Sequence, residues 1–538
     1  MNLLSLLSEL VRHDADATVA IDADPRQPVT VSSGELWRRT LRLRADLSHA
    51  GVGRGDCVAV WLPNWSDALV WQFATASLGA HVIGVNTRYN VDEVRHVLDR
   101  ARPKVMAVAH EFHGLDLIGR LREAVGRAEA PAPAVAVVAG PHGSAPDDPA
   151  GYDVGAGAWI PTPASQLPDA ETETAESDGD ELAVAFTTSG STGMPKLAAH
   201  SESAVVAHAF ADARGIGIRE GDVVLCVLPL SGVFGFNTAM AALAGGAACL
   251  LEPVFDEDAV VADMERYGVT QLVGGDDMVS RVEQAWRRRP RDLSAWRWLG
   301  VADFIGRSKE LAAWARDEFG TLTSGVYGSS EVFALTLFWP HDEPEPRRWS
   351  GGGRLVSPGM AARTVDPVTE RVLSPGEQGE LQLRGPTVVD AYLGDPAAAA
   401  RSFTADGWFR TGDLAVIAPD GGVEYVCRMG DVLRLRGFLV DPAEIEFRLA
   451  AHEAVQTAKV VGVRDATGET VAVGFVVPVA GRSADEQELR AWCAATLARF
   501  KVPTAIHVID EMPTTSGTNG SKIRAVILRE WAQQRLSD

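Results

Sequence analysis

Lysine is scarce in this chain. There are six, Lys104, Lys196, Lys309, Lys459, Lys501 and Lys522, among 50 basic residues. Positive charge is outnumbered as well: 72 acidic residues give a formal net charge of −22. Such a surface repels phosphate backbones, which argues against nucleic acid as a partner. Cysteine is sparse and scattered, at Cys57, Cys226, Cys249, Cys427 and Cys493. That spacing excludes a disulfide framework or a thiolate metal site and points to free thiols in a reducing cytosol. No apolar run is long enough to span a bilayer. The opening residues, Met-Asn-Leu-Leu-Ser-Leu-Leu, lack a basic n-region and fit an amphipathic helix better than a signal peptide. Internal repeats are absent, and so is the Gly-x-Ser-x-Gly elbow of a serine hydrolase.

What is present is an alternation of strand and helix patterns over 538 residues, a length that suggests two to four domains. The run 58–62 is a buried strand closed by Pro63-Asn64, 68–78 has helical spacing, and 80–85 is a further strand. This alternation predicts an α/β fold of layered sheets and helices. Residues 128–180, rich in Pro, Ala, Gly and acids, are expected to be a surface excursion with weak strand signals near 134–138. Asp441-Pro442-Ala443-Glu444 has helix-start chemistry, with Asp at the cap, Pro next and acid in the first turn. Strand patterns at 458–463 and 471–478 and a helix over 486–498 predict a small βαβ-like α+β unit. The division is drawn at Arg428, giving a large domain over 1–428 and a small mobile one over 429–538.

The segment with the most chemistry is Thr187-Thr188-Ser189-Gly190-Ser191-Thr192-Gly193-Met194-Pro195-Lys196, which follows the apolar strand 183–186. Glycines turn the backbone tightly and expose amide hydrogens, hydroxyls add donors, and lysine supplies a point charge. These are the parts of a polyphosphate cradle. The spacing is not that of a Walker A loop. A Ser/Gly linker would not sit between a buried strand and an apolar helix.

This segment resembles the phosphate-binding loop of the adenylate-forming superfamily, which includes acyl-CoA synthetases, peptide-synthetase adenylation domains and firefly luciferases. Further motifs follow in that family's order. Gly325-Val326-Tyr327-Gly328-Ser329-Ser330-Glu331 resembles its Tyr-Gly-x-x-Glu segment, Glu380-Leu381-Gln382-Leu383-Arg384-Gly385 its Gly-Glu-Leu strand, and Gly407-Trp408-Phe409-Arg410-Thr411-Gly412-Asp413 its ribose loop. Arg428 with Asp431 and Gly437 resembles the hinge motif, and Lys522 stands for the C-terminal lysine. The resemblance implies a nucleotide site of Thr188, Ser189, Gly190, Ser191, Thr192, Gly193, Ala302, Asp303, Tyr327, Gly328, Ser329, Ser330, Asp413 and Arg428. It implies catalytic roles for Lys522, Lys196 and Glu331, with Mg²⁺ on Glu331, and a catalytic or structural role for His200. ATP, released as AMP, and coenzyme A are the implied cosubstrates. The implied activity is ligation of a carboxylic acid to coenzyme A through an acyl-adenylate.

Three departures from the family pattern bear on function. Gly430 occupies the hinge pivot, where backbone rotation costs little. Asp303 stands where the family often has small residues beside adenine. The motif at Lys522 is lengthened to Thr514-Thr515-Ser516-Gly517-Thr518-Asn519-Gly520-Ser521-Lys522. A longer glycine-bearing loop is expected to hold the ammonium less firmly, and misplacement by ~1 Å can cost ~10²-fold in rate. One alternative is therefore an enzyme that mainly thioesterifies a preformed adenylate. Others are an acyl-AMP ligase loading a separate carrier protein and a non-catalytic AMP- or CoA-binding relative; light-emitting oxygenation is not favoured. The implied acyl pocket includes Gly232, Phe234, Gly235, Asn237, Gly274 and Gly325. So many small residues, with no basic one, suggest a bulky, largely apolar acid. Arg436, Gly437 and Phe438 are assigned to the coenzyme A side. With no carrier domain after Lys522, a stand-alone cytoplasmic enzyme is expected, and a homodimer is one arrangement the sequence allows.

Overall fold

The protein is described by a computed structural model covering all residues except Met1, Pro25, 163–179, 189–194, Ile305, 430–432, 436–437, Asp441, 466–469, Ala498, 518–519 and Asp538. For a few more, among them Phe438 and Lys522, the backbone alone is described. The expected first helix forms as Leu3–His13, with Asn2 capping it and Leu3, Leu4, Leu6 and Leu7 buried. The expected strands and helix appear as Cys57–Trp61, Ser66–Ala76 and His81–Gly84.

Two sheets dominate residues 1–428. An eight-stranded sheet runs in the order Ala391–Tyr392, Leu197–Ser201, Leu182–Thr187, His81–Gly84, Cys57–Trp61, Val105–Ala109, Ala134–Val138 and Ala158–Trp159. Its middle is parallel, so its strands are apolar on both faces, as helices on either side demand. Ala134–Val138 is an interior strand of this sheet, with Val135, Ala136 and Val137 fully buried. That corrects the expectation of a surface excursion over its first part: the alanine-rich composition hid a β-branched run.

A thirteen-stranded sheet carries the rest. Its parallel part includes Val223–Cys226, Gln271–Gly275, Trp298–Ala302 and Leu322–Ser329. Beyond Leu322–Ser329 it turns antiparallel through Phe333–Phe338 and Gly352–Leu355, and then through Val423–Arg428, Phe409–Ile417, Gln378–Arg384 and Ala361–Val365. The site lies where parallel gives way to antiparallel, because the chain reverses there at 329–333.

After Arg428 the chain builds its own sheet. Val455–Arg464 pairs antiparallel with Thr470–Pro478, which pairs parallel with Ala505–Val508. The βαβ unit therefore runs from Thr470–Pro478 through the helix Glu486–Ala494 to Ala505–Val508, a closing strand that the sequence pattern did not mark. The helix at Pro442–Ala450 forms as its start signal predicted, and Ile445 and Leu449 enter a separate small core with Leu433, Val460 and Val476.

Two glycines are set by close backbone approach. A Cβ on Gly235 would lie 2.2 Å from the Leu228 carbonyl oxygen, and one on Gly325 would lie 2.0 Å from that of Ser350. Neither neighbour is a flexible side chain, so both positions exclude alanine. Gly325→Ala should lower stability by about 1–3 kcal/mol, the usual cost of overpacking. The check is a lower denaturant midpoint at unchanged m-value, while Gly53→Ala, with open space around it, leaves the midpoint in place.

Candidate active site

The strand Leu182–Thr187 delivers the phosphate-loop segment, and Leu197–Ser201 takes it away. The base of that loop is closed: the Thr188 N–H donates to the Lys196 carbonyl at 2.8 Å, and the Lys196 N–H reaches Thr188 Oγ1 at 3.3 Å. Residues 189–194, which include Ser189, Gly190, Ser191, Thr192 and Gly193, lie outside the described residues. Two residues missed by sequence reasoning flank the base. Tyr89 Oη lies 2.5 Å from Thr187 Oγ1, and His96 Nε2 donates to the Pro195 carbonyl at 2.6 Å.

Leu322–Ser329 brings Tyr327 to the site, and the paired strands Phe409–Ile417 and Val423–Arg428 bring Asp413 opposite Arg428. Tyr327 Oη donates to Asp413 Oδ2 at 2.6 Å, and Arg428 Nη1 donates to Asp413 Oδ1 at 2.9 Å. Asp413 is 4% exposed and Tyr327 is 8% exposed. Burial, followed by the Asp413 charge, pushes the Tyr327 phenol well up, so it remains a proton donor. Asp413 raises Arg428 against the opposing effect of burial. The Tyr425 ring lies 5.7 Å from that of Tyr327. Three residues from separate motifs thus meet at one carboxylate.

Four residues after Tyr327 comes Glu331, half-buried, with its N–H 3.2 Å from Ser329 Oγ. The backbone beyond it is strained: Phe333 and Leu335 have φ of 66° and 61°, left-handed values for bulky residues. Each such residue costs on the order of 1–3 kcal/mol unless its surroundings enforce it. Here they do. His200 Nε2 donates to the Ser330 carbonyl at 2.7 Å, and His208 Nε2 donates to that of Ala334 at 2.7 Å. Both imidazoles pack on the Phe333 ring, at centroid distances of 4.1 and 5.1 Å. A carbonyl only accepts, so Nε2 carries the hydrogen in each ring.

His200 is wholly buried and points into this packing. Its Nε2 is taken up by the Ser330 carbonyl, as the structural one of its two expected roles requires. Asn237 is also corrected. It is 2% exposed, and its Nδ2 donates to Asp212 Oδ2 at 2.6 Å and to the Ala334 carbonyl at 3.1 Å, so it pins the strained strand and does not face an acyl group. Gly235 and Gly325 are small because backbone lies against them. The space beside Gly274 is taken by the flexible end of Met278. Gly232 caps the helix Val233–Ala244, on whose first turn Phe234 is buried.

On the adenine side, Ala302 ends the strand Trp298–Ala302, and Asp303 is exposed, with Oδ1 accepting from the Gly306 N–H at 3.0 Å. Asp276, not identified from sequence, holds this loop from inside by accepting from the Phe304 and Arg307 N–H groups at 2.9 and 2.8 Å. Burial, and then Asp303 beside it, raises the Asp276 carboxyl to about 7.

Lys522 lies in the strand Gly520–Ile523, paired with Thr515 of Thr514–Gly517. The lengthened motif is therefore a hairpin. Its lysine backbone is fixed by a ladder, contrary to the expectation of a loose loop. That hairpin sits beside the helix Asp276–Arg288 of the large domain. Gly430, Arg436 and Gly437 lie outside the described residues, and Phe438 begins the strand Phe438–Val440.

Burial lowers both His200 and His208 to about 4. A histidine depressed in the folded state contributes stability above its unfolded pKa of ~6.5 and loses it as pH falls toward the folded value. Denaturant unfolding at pH 7 and pH 4.5 should show a loss on the order of 2 kcal/mol per histidine. His200→Gln, less stable at pH 7, should fall less steeply over the same interval.

Comparison with known proteins agrees with this geometry. The family described as AMP-binding enzyme matches residues 7–393, and the AMP-binding enzyme C-terminal domain matches 444–518. A methyl-dioxo-octahydroindenyl-propanoyl:CoA ligase of Mycobacterium tuberculosis is 31% identical over 525 residues, covering 96% of each chain. A feruloyl-CoA synthase of an Amycolatopsis species is 30% identical, covering 89% of this chain and 90% of its own. ATP-bound MatB from Rhodopseudomonas palustris superposes with a TM-score of 0.84 at 25% identity, over 100% of both chains. With its motifs in order and its site assembled, the chain belongs to the AMP-binding, adenylate-forming enzyme family and is an AMP-forming acyl-CoA synthetase, an acid–thiol ligase that passes a carboxylic acid through an acyl-adenylate to coenzyme A.

Proposed function

We propose that the substrate is a bulky, largely apolar carboxylic acid, and that the residues described above divide the two half-reactions between them. The observation that carries the assignment of residues is the meeting of Arg428 and Tyr327 at the Asp413 carboxylate, with Glu331 four residues after Tyr327 in the chain. A ribose bound by Asp413 with Arg428, beside an adenine next to Tyr327, Ala302 and Asp303, directs the phosphates toward Ser329, Ser330, Thr188 and Lys196. The glycine-rich residues 189–194 complete the phosphate cradle.

The donor set fits Mg²⁺. Glu331 offers a hard carboxylate oxygen and Ser329 a hydroxyl, and phosphate oxygens and water are the other ligands this ion prefers. Bound there, Mg²⁺ neutralises charge on the departing pyrophosphate. The carboxylate of the acid attacks the α-phosphorus, which needs like-charge repulsion offset by Lys196 and Lys522. The acyl-adenylate and pyrophosphate form, the small domain over 429–538 rotates about Gly430, and Arg436, Gly437 and Phe438 face the site. The thiol of coenzyme A then attacks the acyl carbonyl, and AMP leaves.

Support for a bulky acid comes from the names of the relatives, one built on a two-ring propanoate and one on a feruloyl group. Phe234 and the lack of basic residues within the segments 228–237 and 273–275 agree with it. Glycines at 235 and 325 no longer argue for room. We assign the activity to the cytoplasm, in keeping with five buried free thiols and no helix long and apolar enough to cross a membrane among the described residues.

Two measurements test this reading. Over a panel of acids with ATP and coenzyme A, aryl and polycyclic acids should exceed acetate in kcat/KM by at least ~10-fold, the gain of filling an apolar pocket; the reverse ranking would sink the substrate assignment. Lys522→Ala should cut pyrophosphate release from the free acid by ~10²-fold or more, yet leave thioester formation from a synthetic acyl-adenylate nearly intact. A wild type that handles only the adenylate would restore the thioesterification reading.

A further inference from the structure

Tyr392 stands between the two charged groups assigned to the phosphate end, and nothing in the motifs singled it out. Its backbone is fixed from both sides. The strand Ala391–Tyr392 pairs with Leu197–Ser201, directly after Lys196, and Leu393 donates to the Leu197 carbonyl at 3.0 Å. Three residues earlier, the Val389 N–H donates to the Glu331 carbonyl at 2.6 Å. The side chain faces the same two residues. Lys196 Nζ lies over the ring, 4.7 Å from its centroid, and Tyr392 Oη lies 3.5 Å from Glu331 Oε1, the outer limit of a hydrogen bond. Lys196 Nζ also approaches Ser402 Oγ at 3.4 Å. Tyr392 is 3% exposed, and its hydroxyl is the donor toward the Glu331 carboxylate.

Lys196 has no carboxylate within ion-pair distance among the described residues, whereas Lys104, Lys459 and Lys501 are bound to Asp56, Glu446 and Glu444. A cation held over an aromatic face is restrained without being neutralised. Its full charge and a shortened search of rotamers remain available to an incoming phosphate. A phenol touching one carboxylate oxygen restrains the carboxylate and leaves the second oxygen to meet a cation.

We propose that Tyr392 is a positioning residue for nucleotide capture with two separable parts: its ring presents Lys196 to the phosphates, and its hydroxyl aims Glu331 at Mg²⁺. This rests on the roles given above to Lys196 and Glu331. Two replacements of unchanged shape separate the parts. Tyr392→Phe removes the hydroxyl alone. Pentafluorophenylalanine incorporated at position 392 also removes the negative face of the ring.

The measurement is equilibrium binding of ATP by calorimetry, with EDTA and then with saturating Mg²⁺. Tyr392→Phe should bind ATP in EDTA within twofold of wild type, while the gain in affinity on adding Mg²⁺ shrinks about 3- to 10-fold. The fluorinated ring should lose a further 2- to 10-fold or so in EDTA as well. Unchanged Mg²⁺ gain in Tyr392→Phe overturns the hydroxyl's part, and equal EDTA affinities for the two variants overturn the ring's. Glu331→Gln and Lys196→Ala serve as references. If they leave the Mg²⁺ gain and the EDTA affinity untouched, the assignment of those two residues fails instead. A purely structural Tyr392 would lower the melting temperature without moving either binding quantity.

Discussion

The segment from Tyr327 to Leu335 carries the site, and its backbone would not keep that shape alone. It holds the phenol that meets Asp413, the hydroxyls of Ser329 and Ser330 and the Glu331 carboxylate, and then passes through two left-handed residues. The strain is imposed from beneath. Two neutral imidazoles and one amide, on the strand and helices that follow the phosphate loop, donate to the Ser330 and Ala334 carbonyls. Burying these groups is costly, and satisfied hydrogen bonds offset it only while the strained carbonyls stay in place. The strand Leu197–Ser201 and the two helices after it are thereby tied to the Glu331 turn. Neither side can shift without leaving a buried donor unpaired.

The second constraint is charge. A chain of net charge −22 must bind ATP and coenzyme A, both strongly anionic. It does so by treating its cations differently. Arg428 is matched with Asp413, which makes a neutral pair out of two ions. Surface arginines are likewise matched, as Arg347 is with Glu343, Asp420 and Glu424. Lys196 alone among the site's described cations rests on a ring.

Much of this was legible in the sequence because motifs here are local. Tyr327, Glu331 and Asp413 were marked by the short family motifs that contain them, and the structure brings Tyr327 and Asp413 into contact. What was not legible is contact between motifs. His208, Asp212 and Asn237 lie on helices with ordinary spacing, and only folding brings them under Phe333. Asp276 reads as an acid in the first turn of a helix, its commonest role. Tyr392 carried one weak signal: it is one of only six tyrosines, and Tyr89, Tyr327 and Tyr425 also gather at this site. Glycine misled the reading of pocket size, because a missing Cβ makes room for backbone as readily as for substrate.

The hairpin bearing Lys522 draws these strands together. In the role proposed for it, the Lys522 ammonium reaches a carboxylate and a phosphate in one half-reaction and leaves in the next, which calls for a firm mount on a moving part. An antiparallel ladder supplies the rigidity: Thr514 to Gly517 register against Ile523 to Gly520. Extra residues that would loosen a loop instead extend a pair of strands, so length and precision do not compete here. The residues after Arg428 have their own cores, as the rotation proposed above requires. On the proposed division of roles, Lys196 has no moving part to deliver it, and the Tyr392 ring beneath its ammonium is what aims it in place.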